Sequence, residues 1–441
     1  MSATAAQTQM QALSELHQLL LPQTLANALK TPFYQRHWSG IDTAAIGPGG
    51  LAHLPLTDKT MIRQAGRDAQ NRLGDTCHET FTSDASGIPF VTVRSVREQA
   101  FLHEFFARQR PAGQGENLPR AIRFKNIDQG HLSALPAAMH AHELGLYDHG
   151  VFSYARTLLG SRLEDQGVES RVTLLIGLER MLRAFTADCE NHVRPSHTLH
   201  SIVSYSHYLT PAWRRRHETF WGCQVNDRFT PGEVFGGASR DNASGWWHWD
   251  PQLIPEVIGA HSGQVLREGV GLLALTALYP FQQAQPLVRY LTGDLVAVTH
   301  SLPGQEGRFA FQPLGRSRAG IRQPGSDDWL ITPAALFEIM DELPSVARLP
   351  RFLDSPDVRD PYAIGHPRYQ LQGRECAGRT EISIAWQASP RLQDAPSQAA
   401  LIIDRLVAAC PRLADALERG EAVISSQARA RIGADLIAHA E

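Results

Sequence analysis

Two apolar runs in the second half of the chain constrain it most. Leu272 to Pro280 reads LLALTALYP, and Pro286 to Val298 reads PLVRYLTGDLVAV. Both have the length and residue types of buried strands, and the second carries a polar break at Thr292-Gly293-Asp294. A strand broken there points a carboxylate out at its end. Asp294 can then accept hydrogen bonds from both hydroxyls of a ribose, with Gly293 letting the backbone approach closely. Taken alone, a Thr-Gly-Asp is better read as a capped strand end with a surface acid.

The rest of the chain predicts an α/β class. Thr173 to Ile176 and Ser201 to Tyr205 read as short strands, and Leu178 to Cys189 and Pro211 to Phe220 as helices, an alternation typical of that class. Met10, Leu13, Leu16 and Leu20 recur at helical spacing, Thr57 is the expected N-cap of a helix through Lys59, Met61 and Ile62, and Ile88 to Val93 is a strand after a turn. From about Gly315 to Arg379 the chain reads as loop-rich. Then Thr380 to Trp386 alternates at period two, and Leu401, Ile402, Leu406 and Ala409 mark a helix. The expected division is a large domain over 1–313 and a small α+β domain over 314–441, which suits a chain of 441 residues.

Composition narrows the function. A net charge of −3 leaves no electrostatic footprint for nucleic acid. No apolar run reaches the roughly 18 residues that span a bilayer, and the first residues lack the basic start of a signal peptide. Cys77, Cys189, Cys223, Cys376 and Cys410 are scattered and odd in number, which argues for a reducing compartment, so a cytoplasmic protein is expected. Cys376 and Cys410 are read as inert, with acyl acceptance the alternative. Lysines occur only at 30, 59 and 125, so no later side chain supplies an ammonium group. His140 with His142, and His192, His197 and His200, are read as chance proximity among 19 histidines rather than metal sites.

Pro286 to Val296, with Leu275 to Pro280 before it, resembles the RYRTGDL signature of the phenylacetate–CoA ligase group of adenylate-forming enzymes. Asp227 to Glu233 resembles that family's aromatic–Gly–x–x–Glu turn, which implies Phe229 stacked on adenine and Glu233 on magnesium. Thr230 replaces the usual glycine. Gly245 to Ile258 resembles another family stretch. Relatives carry zinc nearby, but the cysteines are missing here, so no zinc is expected and His248 is read as a structural or pocket residue. Leu54 to Lys59 resembles LPFTTK. Thr82 to Pro89 resembles the phosphate loop, implying Ser83, Ser86 and Gly87 at the ATP phosphates. Asp84 stands where glycine is expected, and a carboxylate about 4 Å from a phosphate charge costs about 4 kcal/mol at an effective dielectric near 20. In the stretched hinge Pro313 to Ile331, Arg316 is the candidate for the nucleotide, and Asp327 and Asp328 are the hinge carboxylates. The family's C-terminal lysine is replaced by Arg429 and Arg431, whose planar forks are not equivalent point charges.

The resemblance implies ATP, magnesium and coenzyme A, with a small carboxylic acid or its CoA ester as substrate. Glu233, Arg316 and His207 are the catalytic candidates, and Tyr205, Ser206, Tyr208 and Gly236 line an acyl pocket whose aromatic walls suit an aromatic acid. Three functions follow: an acid–thiol ligase; a transferase passing an already activated acyl group to a carrier-protein thiol; or a silent binding subunit.

Overall fold

The structure is a computed structural model that describes residues 3–82, 90–108, 119–125, 139–145, 150–165, 168–192, 199–303, 307–349, 365–376 and 378–432. The expected α/β class is borne out. The chain forms two compact units, each assembled from separated stretches. Met1–Asn117, Asp128–Ala138 and Arg228–Gln312 make the first; Leu118–Ile127, Met139–Asp227 and Pro313–Glu441 make the second.

In the first unit the two apolar runs are neighbouring antiparallel strands, Gly269–Ala277 and Tyr290–Thr299, and Leu253–Ile258 pairs with the outer side of the former. The Tyr290–Thr299 strand is followed in the sheet by the start of Ala310–Arg316, then Trp247–Trp249 and Ala238–Arg240. Their inward side chains, among them Val257, Leu273, Leu275, Tyr290, Val296 and Phe311, form one apolar core. The helix Ala3–Ala28 buries Leu21, Leu25 and Ala28 in a second core with Tyr34, Trp38 and Leu278. At the Lys59–Ala65 helix the cap is Asp58, not the expected Thr57, for Asp58 accepts from the Met61 N–H at 2.8 Å. Thr57 instead lies in a two-residue strand parallel to Tyr290–Leu291, fully buried, its hydroxyl donating to the Val288 carbonyl at 2.9 Å.

The second unit holds a parallel sheet in the order Ser201–Tyr205, Val172–Leu178, Arg120–Lys125, His140–Gly145. Parallel neighbours need a crossover, which the Glu179–His192 helix supplies between the first two of these strands. Later in the unit, Tyr369–Cys376, Arg379–Gln387 and Ala422–Arg429 form a three-stranded sheet, whose Ile382, Ile384 and Trp386 pack with Ile402 and Leu406 of the Ala395–Ala409 helix. Leu401 is 39% exposed and takes no part in that core. The stretch read as loop-rich contains the helix Pro333–Glu342, capped by Thr332 with Pro333 in its first turn. Among the described residues no helix is long and apolar enough to cross a membrane.

Candidate active site

The strand pair of the first unit is irregular where its chemistry lies. Leu272 pairs with Leu295 and Ala274 with Leu291, so Leu273 alone faces Thr292, Gly293 and Asp294. This bulge requires a left-handed residue, and Gly293 supplies it at φ +82°. Thr292 accepts from the Asp294 N–H at 3.1 Å, and the Asp294 side chain is largely buried. Arg289, just before the strand, is buried with its Nε 2.9 Å from Glu256, and donates to the Leu54 and Ala52 carbonyls, the latter at 3.2 Å. It ties the Leu54–Lys59 segment to the strand.

That segment delivers Lys59. Its Nζ lies 3.0 Å from Glu233 Oε1 and 5.4 Å from the centre of the Phe90 ring. The Tyr290 hydroxyl, from a fully buried ring, reaches the same Glu233 oxygen at 3.4 Å. The side chain of Glu233 is 3% exposed, that of Lys59 19%. Arg94 donates to the Gly232 carbonyl at 2.6 Å, and its guanidinium sits 4.0 Å from the centre of the Phe235 ring. Burial pushes Arg94 down to about 10, against the pull of Glu98 and Glu233. Ser95 and Glu98 form a capping box, Ser95 Oγ accepting from the Glu98 N–H and Glu98 from the Ser95 N–H. The other Glu98 oxygen accepts from the Gln283 and Ala284 N–H groups, the latter at 2.9 Å, clamping that loop.

The turn around Glu233 is tightly built. A Cβ on Gly236, at φ +94°, would meet Gln252 Nε2 at 2.1 Å, and one on Gly237 would meet the Phe229 carbonyl at 2.3 Å. Asp250 accepts from the Gly237 N–H at 2.9 Å and from Arg228 at 2.6 and 3.0 Å. Phe229 is half-buried, edge-on to Trp249 and to Phe311, both at 5.7 Å between ring centres. In the sheet order three strands stand between the strands of Phe229 and Asp294, so the two residues are not ladder neighbours.

Of the remaining candidates, Tyr205, Ser206, His207, Tyr208 and Arg316 belong to the second unit. Tyr205 donates to the Phe124 carbonyl at 3.4 Å; Ser206 is exposed at φ +80°; the His207 ring lies 5.7 Å from His366. Tyr208 donates to Glu338, and its phenol is pushed well above its ordinary value by burial and by that carboxylate. Arg316 is half-buried at the end of the Ala310–Arg316 strand, and Asp328 pairs with Arg412 at 3.2 Å. Ser83, Ser86 and Gly87 lie outside the described residues.

Comparison with known proteins bears on this arrangement. No family profile matches the chain. A phenylacetate–coenzyme A ligase of Thermus thermophilus is 33% identical over 96 residues, so the chain spans only 21% of that relative's length. A crystal structure of 2-hydroxyisobutyryl-CoA ligase, in an open conformation with 2-HIB-AMP and CoA, superposes with a TM-score of 0.64. It covers 96% of this chain and 88% of its own, at 16% identity. ATP-bound MatB from Rhodopseudomonas palustris gives 0.50 at 12% identity, over 80% of this chain and 64% of its own. The fold is that of the adenylate-forming acyl-CoA ligases.

Within this ligase fold, a divalent cation on Glu233 does not fit the residues present. Glu233 Oε1 already lies 3.0 Å from the Lys59 ammonium, and the Tyr290 hydroxyl is directed at the same atom. A dication about 4 Å from that ammonium would be repelled by about 8 kcal/mol at an effective dielectric near 20. Among the described residues no group of three or more His, Cys, Asp and Glu side chains is arranged to hold a metal. Lys59 and Tyr290 were not singled out as site residues from the sequence. The signal for Lys59 was its scarcity, one of three lysines, inside a segment that already resembled the ligases.

Proposed function

We propose that this ligase-fold chain activates a small carboxylic acid, aromatic in class, as an acyl-adenylate and passes the acyl group to the thiol of coenzyme A in the cytoplasm. The observation that carries the reading is the meeting of two distant motifs: the Glu233 turn touches Tyr290, which opens the strand that bears Asp294. In this reading Asp294 takes the ribose hydroxyls, Phe229 offers its exposed face to the base, and the Ser83, Ser86 and Gly87 loop receives phosphate. Of the residues expected at the acyl group, Gly236 follows Glu233 in the same turn. Magnesium at Glu233 is no part of the reading, because Lys59 already holds that carboxylate.

A second reading has a specific observation in its favour. A Glu233 closed to metal, together with the lack of any lysine after 125, suits a transferase that moves an acyl group from CoA or an adenylate to a carrier-protein thiol without ATP. ATP–pyrophosphate exchange with a panel of aromatic and aliphatic acids separates the two. Exchange supports the ligase; acyl transfer from CoA without exchange supports the transferase; neither activity leaves a silent binding subunit. Turnover of long-chain fatty acids alone would remove the aromatic substrate.

A further inference from the structure

We infer that Arg94 is a positioning residue for Glu233: the Phe90–Ser95 strand, through Arg94 and a glutamine relay beside it, sets where that carboxylate stands. The inference rests on the reading of this region as the reacting site and names what holds it in shape. Within the turn, the Val234 N–H reaches the Pro231 carbonyl at 3.3 Å, a long bond. The next two carbonyls accept from side chains, Gly232 from Arg94 at 2.6 Å and Glu233 from Gln282 Nε2 at 3.3 Å. Both donors are tied to the same strand. Phe90, Thr92 and Arg94 alternate onto one of its faces, and all three are buried. The Phe90 ring lies 5.4 Å from Lys59 Nζ, and the Arg94 guanidinium 4.0 Å from the centre of the Phe235 ring, so this face meets the Lys59–Glu233 pair from both ends. Gln285 gives the strand the amide that a neighbouring strand would. Its Oε1 accepts from the Val93 N–H at 3.0 Å, and its Nε2 donates to the Val91 carbonyl at 3.3 Å. Gln282 closes the ring, donating at 2.9 Å to the Gln285 carbonyl from the same Nε2 that reaches Glu233. A guanidinium can bond a carbonyl and stack on a ring at once, which suits Arg94 to its double contact.

The test compares the full chain with its Arg94→Met, Arg94→Lys and Gln282→Met variants in acyl-adenylate formation and acyl transfer, with thermal unfolding of each to verify the fold. Arg94→Met keeps bulk against Phe235 and removes the donor and the charge. It should lower kcat about thirtyfold and leave KM for the acid within about twofold, because a misplaced turn harms the reaction more than the bound ground state. Gln282→Met should lower kcat about tenfold. Arg94→Lys keeps a charged donor and should recover most of the loss, which a merely space-filling side chain would not require. In a crystal structure of Arg94→Met, the Glu233 carboxylate should stand about 1 Å or more from its place beside Lys59. Wild-type kcat in Arg94→Met, or an unmoved Glu233 in its structure, overturns the inference. Should Arg94→Met fail to fold, Gln282→Met decides by the same two readouts. If the wild-type chain neither activates nor transfers any acyl group, the functional reading falls, and the displacement of Glu233 alone decides the role of Arg94.

Discussion

Each unit contains paired charges out of the solvent, and the two sets are built differently. In the first, Lys59 and Glu233 form a pair with one end open to solvent and a phenol alongside. In the second, Arg183 is fully buried between Glu179 and Asp341, both its bonds to Asp341 measuring 2.9 Å. Asp341 also accepts from Arg348 at 2.5 Å and from the Thr210 hydroxyl at 3.1 Å. A sealed, multiply bonded cluster cannot exchange partners without leaving a charge stranded in low dielectric, so its role is to fix one packing of the helices that carry it. A half-open pair can take on a ligand. Exposure at one end, more than the presence of opposite charges, separates a site from a brace.

The contrast can be broken most sharply at Arg183. Arg183→Ala takes the guanidinium from buried Glu179 and leaves Asp341 with Arg348 and Thr210, and should cost about 3–5 kcal/mol in urea unfolding followed by tryptophan fluorescence. A loss below about 1 kcal/mol would mean that the cluster braces nothing. At the other pole, Lys59→Gln should reduce acyl-adenylate formation or acyl transfer about a hundredfold, equivalent to about 2.7 kcal/mol, while costing only about 1 kcal/mol of stability. Equal stability losses in the two variants would erase the distinction.

The sealed region should also respond to acid. His217 is buried against Thr186, its ring nitrogen 2.9 Å from the hydroxyl, and burial lowers it from 6.5 to about 3. A folded-state value below the unfolded one means that protonation favours unfolding. Its contribution is therefore complete above pH 6.5 and declines as pH falls from there towards 3. The slope is about 1.4 kcal/mol per pH unit, so the loss reaches about 3 kcal/mol by pH 4.5. His366, lowered well below 6.5 mainly by burial and then by Arg180 and Arg183, adds in the same direction. Stability measured from pH 7.5 to 4.5 should fall more steeply in wild type than in His217→Gln; parallel curves would show that His217 is not the acid-sensitive group. The smallest effect is expected at the edge of the brace. Thr332→Ala removes the cap of the Pro333–Glu342 helix, which accepts from Ala335 at 3.4 Å, and should cost about 1 kcal/mol in the same unfolding assay.

Local pattern made much of this molecule legible. The period-two run at Thr380–Trp386 and the apolar runs around Leu272 and Pro286 became strands because alternation and β-branched content act over a few residues. The Pro333–Glu342 helix was within reach as well, since Thr332-Pro333 is a cap followed by a proline in the first turn, but the surrounding Pro and Arg residues masked it. What the sequence could not supply was pairing at long range. Glu233 carries no mark that its partner is Lys59, nor Arg183 that Asp341 awaits it, because such pairs are chosen by the packing of whole elements. The expected Thr57 cap does not form for a related reason: its hydroxyl is drawn away to the Val288 carbonyl, leaving Asp58 to do the capping.

The bulge in the Tyr290–Thr299 strand has one more consequence. Three residues stand opposite one, a register shift of two, so the inside–outside rhythm of the strand is kept across Thr292–Asp294, and Tyr290 before it and Val296 and Val298 after it all enter one core. Removing a single residue there would turn the side chains on one flank over, exposing apolar groups and burying the wrong neighbours. The length of this segment is therefore as tightly held as its carboxylate, and the strand tolerates substitutions far better than gaps.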